Sequence, residues 1–162
     1  MTPPPVRVAG PEDAAIVAEL LIDWRDFMGR DWPPAENLRA GVERLIVRDD
    51  AEYLLGGEEP SGIVQLRYRY GLWLDAEDCL LEDLFVRPDA HRGGVGRALV
   101  SAALKRARER GCRRVELDVD EDNVPARALY ESLGFRSGTG EPGHGGVFMR
   151  HRIAANMPPG VS

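Results

Sequence analysis

The stretch that most constrains this chain runs from Cys79 to Val100. It holds an eight-residue run that is apolar except at Glu82 and Asp83 (CLLEDLFV), then a turn with glycine at 93, 94 and 96, then apolar residues at helical spacing. A strand lacking hydrophobic alternation needs cover on both faces, so it belongs at the centre of a sheet. Val95, Leu99, Ala102, Ala103 and Ala107 line one side of a helix predicted over 95–110, and Gly111 stands where such a helix ends. Only an α/β architecture satisfies both.

The flanking sequence agrees. A short strand at VRVAG precedes a helix that opens on Pro11, with Glu12 and Asp13 in its first turn and Val17, Leu20, Leu21, Trp24 and Phe27 as its stripe. A second helix restarts at Pro34 with Leu38, Val42, Leu45 and Ile46 on one face. EYLLGG and the long alternating run SGIVQLRYRYGLWL read as strands, the latter half-buried, with Val64, Leu66, Tyr68 and Tyr70 opposing Gln65, Arg67 and Arg69. After the central helix come a strand at RRVELDV, a short helix opened by Pro125 and closed by Gly134, and a final hairpin from Phe135 through GVFMRHRI. The expectation is a mixed, mostly antiparallel sheet of six to seven strands flanked by about four helices. It forms a single domain over 1–162, with loose ends at 1–5 and 156–162.

Composition removes several function classes. No run of eighteen apolar residues is present, and the N-terminus lacks a basic region and apolar core, so neither a membrane span nor a secretory signal is expected. His91, His144 and His151 are scattered, and Cys79 and Cys112 lack ligand spacing, so no metal site is expected. Two thiols without a disulfide framework suit the cytoplasm. The formal net charge of −6 disfavours nucleic acid and favours a cationic partner. Positive charge nevertheless gathers between Arg87 and Arg114, either as a solvated helix face or as a seat for an anion.

A strand, a glycine turn and a helix N-terminus form a recipe for binding phosphate, because first-turn N–H groups point outward and the helix end is partly positive. Gly93, Gly94 and Gly96 let a ligand approach the backbone, and Arg92 and Arg97 stand beside them. Tight turns also need glycine. A dinucleotide fingerprint is excluded because Leu99 stands where a small residue is required, and no Gly-Lys-Ser/Thr follows.

The downstream residues narrow the choice. Asn123, Ala126, Tyr130, Gly134 and Phe135 match Asn-x-x-Ala-x-x-x-Tyr-x-x-x-Gly-Phe at every position, and Gly94 and Gly96 match the glycines of Arg/Gln-x-x-Gly-x-Gly/Ala. Over residues 80–136 the chain resembles the GNAT family of acyl-CoA-dependent N-acetyltransferases. Its fold would then be the GNAT acyl-CoA N-acyltransferase fold, with acetyl-CoA as co-substrate. The resemblance implies cofactor contacts at Phe85, Val86, Arg92, Gly93, Gly94, Val95, Gly96, Arg97 and Ala98. Asn123 would contact the pantetheine arm or order its loop. His91 occupies the first position of the phosphate motif, so either Arg92 substitutes for the usual residue or the loop is one residue shorter. A homodimer is the assembly usual among relatives.

Acetyl transfer from a thioester needs a neutral amine, a donor for the developing oxyanion and a proton for the departing thiolate. The resemblance makes Tyr130 the acid; by position alone it reads as an apolar knob beside Leu129 and Leu133. Glu82 and Asp83 are adjacent carboxylates in an apolar strand, expected on opposite faces, and burying either unpaired is costly. They either pair with Arg67 or Arg69, or form an amine site with Glu82 catalytic and Asp83 binding substrate. The second reading follows from similarity of YGLWLDAEDCLLEDLFV to spermidine/spermine-type and thialysine-type members. Trp73 would belong to the same wall, and Asp31 and Trp32 would close the pocket. The expected reaction is direct transfer, in a ternary complex, to a small primary amine: a polyamine or a lysine-like acceptor. Alternatives are a protein N-terminus, a protein lysine or an aminoglycoside as acceptor, a non-catalytic CoA-binding module, or a nucleic-acid domain using the basic helix.

Overall fold

The computed structural model describes residues 2–138 and Met149. The chain divides after Asp118 into two units. In the first, an antiparallel ladder β1 (Val6–Val8), β2 (Ala51–Gly56), β3 (Gly62–Gly71) and β4 (Ala76–Val86) is completed by β5 (Arg114–Leu117), which pairs with β4 in parallel. Helices α1 (Ala14–Phe27) and α2 (Ala35–Leu45) precede β2, and α3 (Val95–Glu109) crosses from β4 to β5. The sheet therefore has five strands among the described residues, against six to seven expected. Residues 135–138 are not strand, and the rest of the expected hairpin lies outside the described residues.

Each face of the sheet has its own helix layer. Val17, Leu20 and Leu21 of α1 and Val42 of α2 pack with Tyr53, Leu55, Ile63 and Phe85. On the other face α3 approaches so closely that a Cβ at Gly62 would lie 2.7 Å from Val95 Cγ1, and one at Gly56 would lie 2.9 Å from the same atom. Both glycines are thus needed for close approach, a reason for glycine inside strands. Arg106 of α3 clamps Glu52 of β2 with two bonds of 2.9 and 2.7 Å, and Arg110 lies 3.8 Å over the Tyr68 ring.

Two strand readings need correction. The first half of β3 is buried on both faces, Gln65 included at 3% exposure, because α1 and α3 cover opposite sides of it. Its polar end donates to the Tyr53 hydroxyl at 3.1 Å, as a buried amide must. And β4 begins at Ala76, three residues before the apolar run. Asp78, only 2% exposed, is tolerated there because Arg69 (2.8 Å) and Arg114 (3.0 Å) both reach it.

The second unit contains α4 (Val124–Ser132). Asn123 caps it, its side-chain oxygen accepting the Ala126 N–H at 3.3 Å. At the other end Gly134 turns left-handed with φ +93, and the Phe135 N–H donates to the Tyr130 carbonyl at 3.0 Å. The Phe135 ring thereby packs edge-on to Tyr130, centroids 5.8 Å apart. The Asn…Ala…Tyr…Gly-Phe spacing is in physical terms a cap, a helix of two and a half turns and a return that fixes one tyrosine ring.

Candidate active site

β4 and β5 pair from Asp78↔Arg114 to Leu81↔Leu117, so residues 82–86, beyond Leu81, have no partner on that side among the described residues and present an unpaired backbone edge. On the β3 side Ile63 opposes Phe85 but Gln65 opposes Glu82, so Asp83 and Leu84 together face Val64. This is a β-bulge, and Asp83 takes a left-handed φ of +56 to make it. Strand alternation is broken where the ladder parts. The bulge interrupts the regular strand on which Glu82 and Asp83 were expected to point to opposite faces.

Register places Tyr53, Gln65 and Glu82 in one row across β2, β3 and β4, on the α1 face. Arg69, one expected partner of the carboxylates, is committed to Asp78 and Glu116 instead. Arg67 pulls the Asp83 carboxyl down only as the smallest influence, and no ion pair to Glu82 or Asp83 forms among the described residues. Burial, followed by the negative charge of Glu82, raises the Asp83 carboxyl to about 6. Burial foremost, then Asp83, raises the Tyr53 phenol to about 12.

Beside this edge lies an open-sided cleft of about 390 Å³, floored by Phe85 and Phe27 and rimmed by Asp23, Asp26 and Asp89. Phe85 stacks on Trp24 with centroids 6.5 Å apart and touches Phe27 at 6.1 Å. Arg87 bonds Asp23 at 2.7 Å, tying the end of β4 to α1. Phe27 and Trp24 were legible only as helix stripe; nothing in the sequence marks Phe27 as a cleft residue. Trp32 sits exposed between α1 and α2, in a loop that the Arg25 guanidinium holds through the Pro33 carbonyl at 2.8 Å. Trp73 is not brought to Glu82: it is wholly exposed at the tip of the β3–β4 hairpin, ~20 Å along β4 at strand rise.

The glycine turn follows the same strand end. The His91 Nε2–H donates to the Val86 carbonyl at 2.8 Å, so the imidazole is anchored to the β4 backbone. Arg92 takes φ +68 and Gly94, the cap residue of α3, φ +82. The Gly93 and Ala98 N–H groups donate to Ala90 and Gly94 carbonyls, whereas those of Gly94, Val95 and Gly96 have no backbone acceptor among the described residues. The Val95 side chain is buried against the glycines of β2 and β3, so only its backbone faces outward. A Cβ at Gly94 would meet nothing nearer than Pro4 at 3.6 Å, leaving the turn open to a ligand.

In the second unit Tyr130 is half-buried, and burial raises its phenol above the ordinary value, which keeps it protonated and able to donate. Burial likewise pushes the Cys79 thiol up to about 12 and raises that of Cys112, so neither is an activated nucleophile.

Residues 17–135 match the model of the Acetyltransferase (GNAT) family. A thialysine N-epsilon-acetyltransferase of Caenorhabditis elegans is 34% identical over 101 residues, which is 62% of this chain and 61% of that protein, so the match spans about three fifths of its length. An aminoglycoside N(6')-acetyltransferase type 1 of Stenotrophomonas maltophilia is 30% identical across 82% of this chain and 86% of its own. A solved structure from Arthrobacter sp. FB24, an acetyltransferase by assignment, superposes with TM-score 0.83 at 32% identity, covering 94% of this chain and 97% of that one. The chain belongs to the GNAT family, and its class is that of the acetyl-CoA-dependent N-acetyltransferases.

Proposed function

We propose that this enzyme acetylates a small primary amine of polyamine or lysine-like type by direct transfer from acetyl-CoA, 1–162 acting as one catalytic domain. The observation that carries this reading is the Glu82–Asp83 pair at the parting of β4 from β5, with no ion pair to an arginine among the described residues and with Asp83 raised to about 6. The family match running from 17 to 135 supports a single domain. The thialysine and aminoglycoside enzymes among its relatives support an amine acceptor.

The free N–H groups of Gly94, Val95 and Gly96, with Arg92 and Arg97 beside them, fit a pyrophosphate, and the unpaired 82–86 edge, Phe85 and Val86 included, fits the pantetheine arm. Acetyl-CoA supplies the activated acyl carbon. The carboxylate pair holds the incoming ammonium and removes its proton; a group titrating near 6 is well matched to that task. Asp83, raised to about 6, takes the role of proton acceptor and Glu82 that of binding the ammonium, an exchange of the roles expected from sequence. The neutral nitrogen then forms the C–N bond as the C–S bond breaks, the acylated nitrogen loses its second proton to solvent, and Asp83 releases the one it accepted. Tyr130 donates to the leaving sulfur and is reprotonated from solvent, and the cycle releases one proton overall. Two free, unactivated thiols support direct transfer and a reducing, cytoplasmic setting.

Steady-state turnover of Asp83→Asn and Tyr130→Phe tests the assignment. Both should lose most of kcat while acetyl-CoA still binds. Full activity in either variant removes that residue from the mechanism.

A further inference from the structure

Arg67, on β3, is a half-buried cation without a counter-ion. Arg25, Arg87, Arg106 and Arg127 are partly buried as it is, and each lies within ion-pair distance of a carboxylate. Arg67 forms no hydrogen bond or ion pair among the described residues. Three carboxylates close to it in the register are already taken. Asp78 and Glu116 are shared between Arg69 and Arg114, and Arg48 grips Asp50 with two bonds of 2.6 and 2.7 Å. Its partners across the sheet, Ala51 and Leu80, are apolar. A charge drawn out of water ordinarily acquires a partner, because desolvation without one is costly.

Register shows what this charge stands beside. Ile63, Gln65 and Arg67 share the α1 face by strand alternation, so Arg67 lies one row beyond Gln65, whose β4 partner is Glu82. Its Cα is therefore ~7 Å along the sheet and ~5 Å across from that of Glu82. Asp83, Arg67 and Glu82 all act on the Tyr53 phenol in that row, the carboxylates raising it and Arg67 lowering it, so the three charges share one neighbourhood. The pair suited to an ammonium thus has a free guanidinium at its side. An extended lysine spans ~7 Å from Nε to its carboxylate carbon, the scale of the step between the two rows. A guanidinium is a planar fork matched to a carboxylate. A polyamine would instead bring a second cation against it.

We propose that Arg67 determines acceptor specificity: it takes the carboxylate of the acceptor while Glu82 and Asp83 take the side-chain ammonium, so that the enzyme selects lysine-like amino acids over polyamines. This rests on the acceptor site proposed above for Glu82 and Asp83, and it narrows the two acceptor types named there to one. No bond is made or broken at Arg67. It decides which nitrogen reaches the thioester, the one remote from the carboxylate.

Steady-state kinetics with lysine, lysinamide and 1,5-diaminopentane are the direct test, because these amines share one spacer and differ in what stands at the carboxylate position. Wild-type kcat/KM for lysine should exceed that for either analogue about 10- to 100-fold, the scale of a charge-assisted contact. Arg67→Ala should bring lysine down to the level of 1,5-diaminopentane, through KM rather than kcat, with acetyl-CoA KM unchanged. Arg67→Lys, which keeps the charge without the fork, should fall between. Both variants should melt with the wild type, since Arg67 bonds no other described residue, and the lysinamide comparison needs no variant. Equal use of lysine and 1,5-diaminopentane by the wild type overturns the proposal and leaves the acceptor site standing. So does an Arg67→Ala loss that is the same for all the amines. Turnover of none of them by the wild type overturns the acceptor site and Arg67 with it. Should Asp83→Asn keep full activity, the proton acceptor is lost from the mechanism, and the ratio of lysine to 1,5-diaminopentane still decides Arg67.

Discussion

Asp83 combines a left-handed backbone with a carboxyl raised from 3.8 to about 6 by burial and by Glu82. Because the folded chain holds that proton more tightly than the unfolded one, the contribution of Asp83 to stability is greatest below pH 3.8. It declines as pH rises to about 6 and stays at the lower level above. Asp83→Asn, whose side chain also tolerates left-handed φ, should therefore raise stability by on the order of 2 kcal/mol at pH 7 and by nothing below pH 3.8. Melting curves at pH 3.5 and 7 check this; an equal shift at both would deny the burial effect. Tyr130→Phe keeps the ring that packs on Phe135, so it should melt with the wild type yet lose ~100-fold or more in kcat, the scale of a missing general acid. Arg92 at φ +68 is strained. Arg92→Gly should gain ~1 kcal/mol of stability while acetyl-CoA KM rises, since the guanidinium beside the turn is gone. None of these conformations was legible in advance: no residue pattern marks a left-handed Asp or Arg.

Among the elements, the junction of β4 and α3 organises everything else, and it was the part that apolar run, glycines and helical spacing made plain. What they could not show was depth of contact. Gly62 reads as the start of an alternating strand, whereas its missing Cβ is where Val95 and Leu99 sit. Gly62→Ala should cost ~1–3 kcal/mol through that clash, visible as a lower Tm; an unchanged Tm would mean that α3 is free to shift. Alternation likewise predicted β3 as half-buried, because periodicity reports a strand's own polarity and not how many layers cover it. Gln65 is buried only because Tyr53 is there to accept its hydrogen bond. Trp73 was misplaced for a similar reason: adjacency in sequence to the carboxylates does not reveal that a hairpin turn intervenes.

At the level of the whole molecule, an acidic chain concentrates cations on α3 and leaves carboxylates on the cleft and at the parting of the sheet. That division suits an anionic acyl donor at one side of β4 and a cationic acceptor at the other. Fold class and family were legible in the sequence because two motifs have mechanical meaning, one as an open helix N-terminus and one as a capped helix returning on a tyrosine. The acceptor was not, because the recognition proposed for it rests on a bulge and an aromatic floor assembled from distant segments. The most direct measurement is acetyl-CoA-dependent thiol release by the purified protein across polyamines, lysine, thialysine, aminoglycosides and short peptides, with a no-amine control. Turnover concentrated in the diamines and lysine-like compounds is the predicted result. Turnover with peptides alone, or none with any small amine, would contradict a carboxylate-lined pocket for small cationic acceptors.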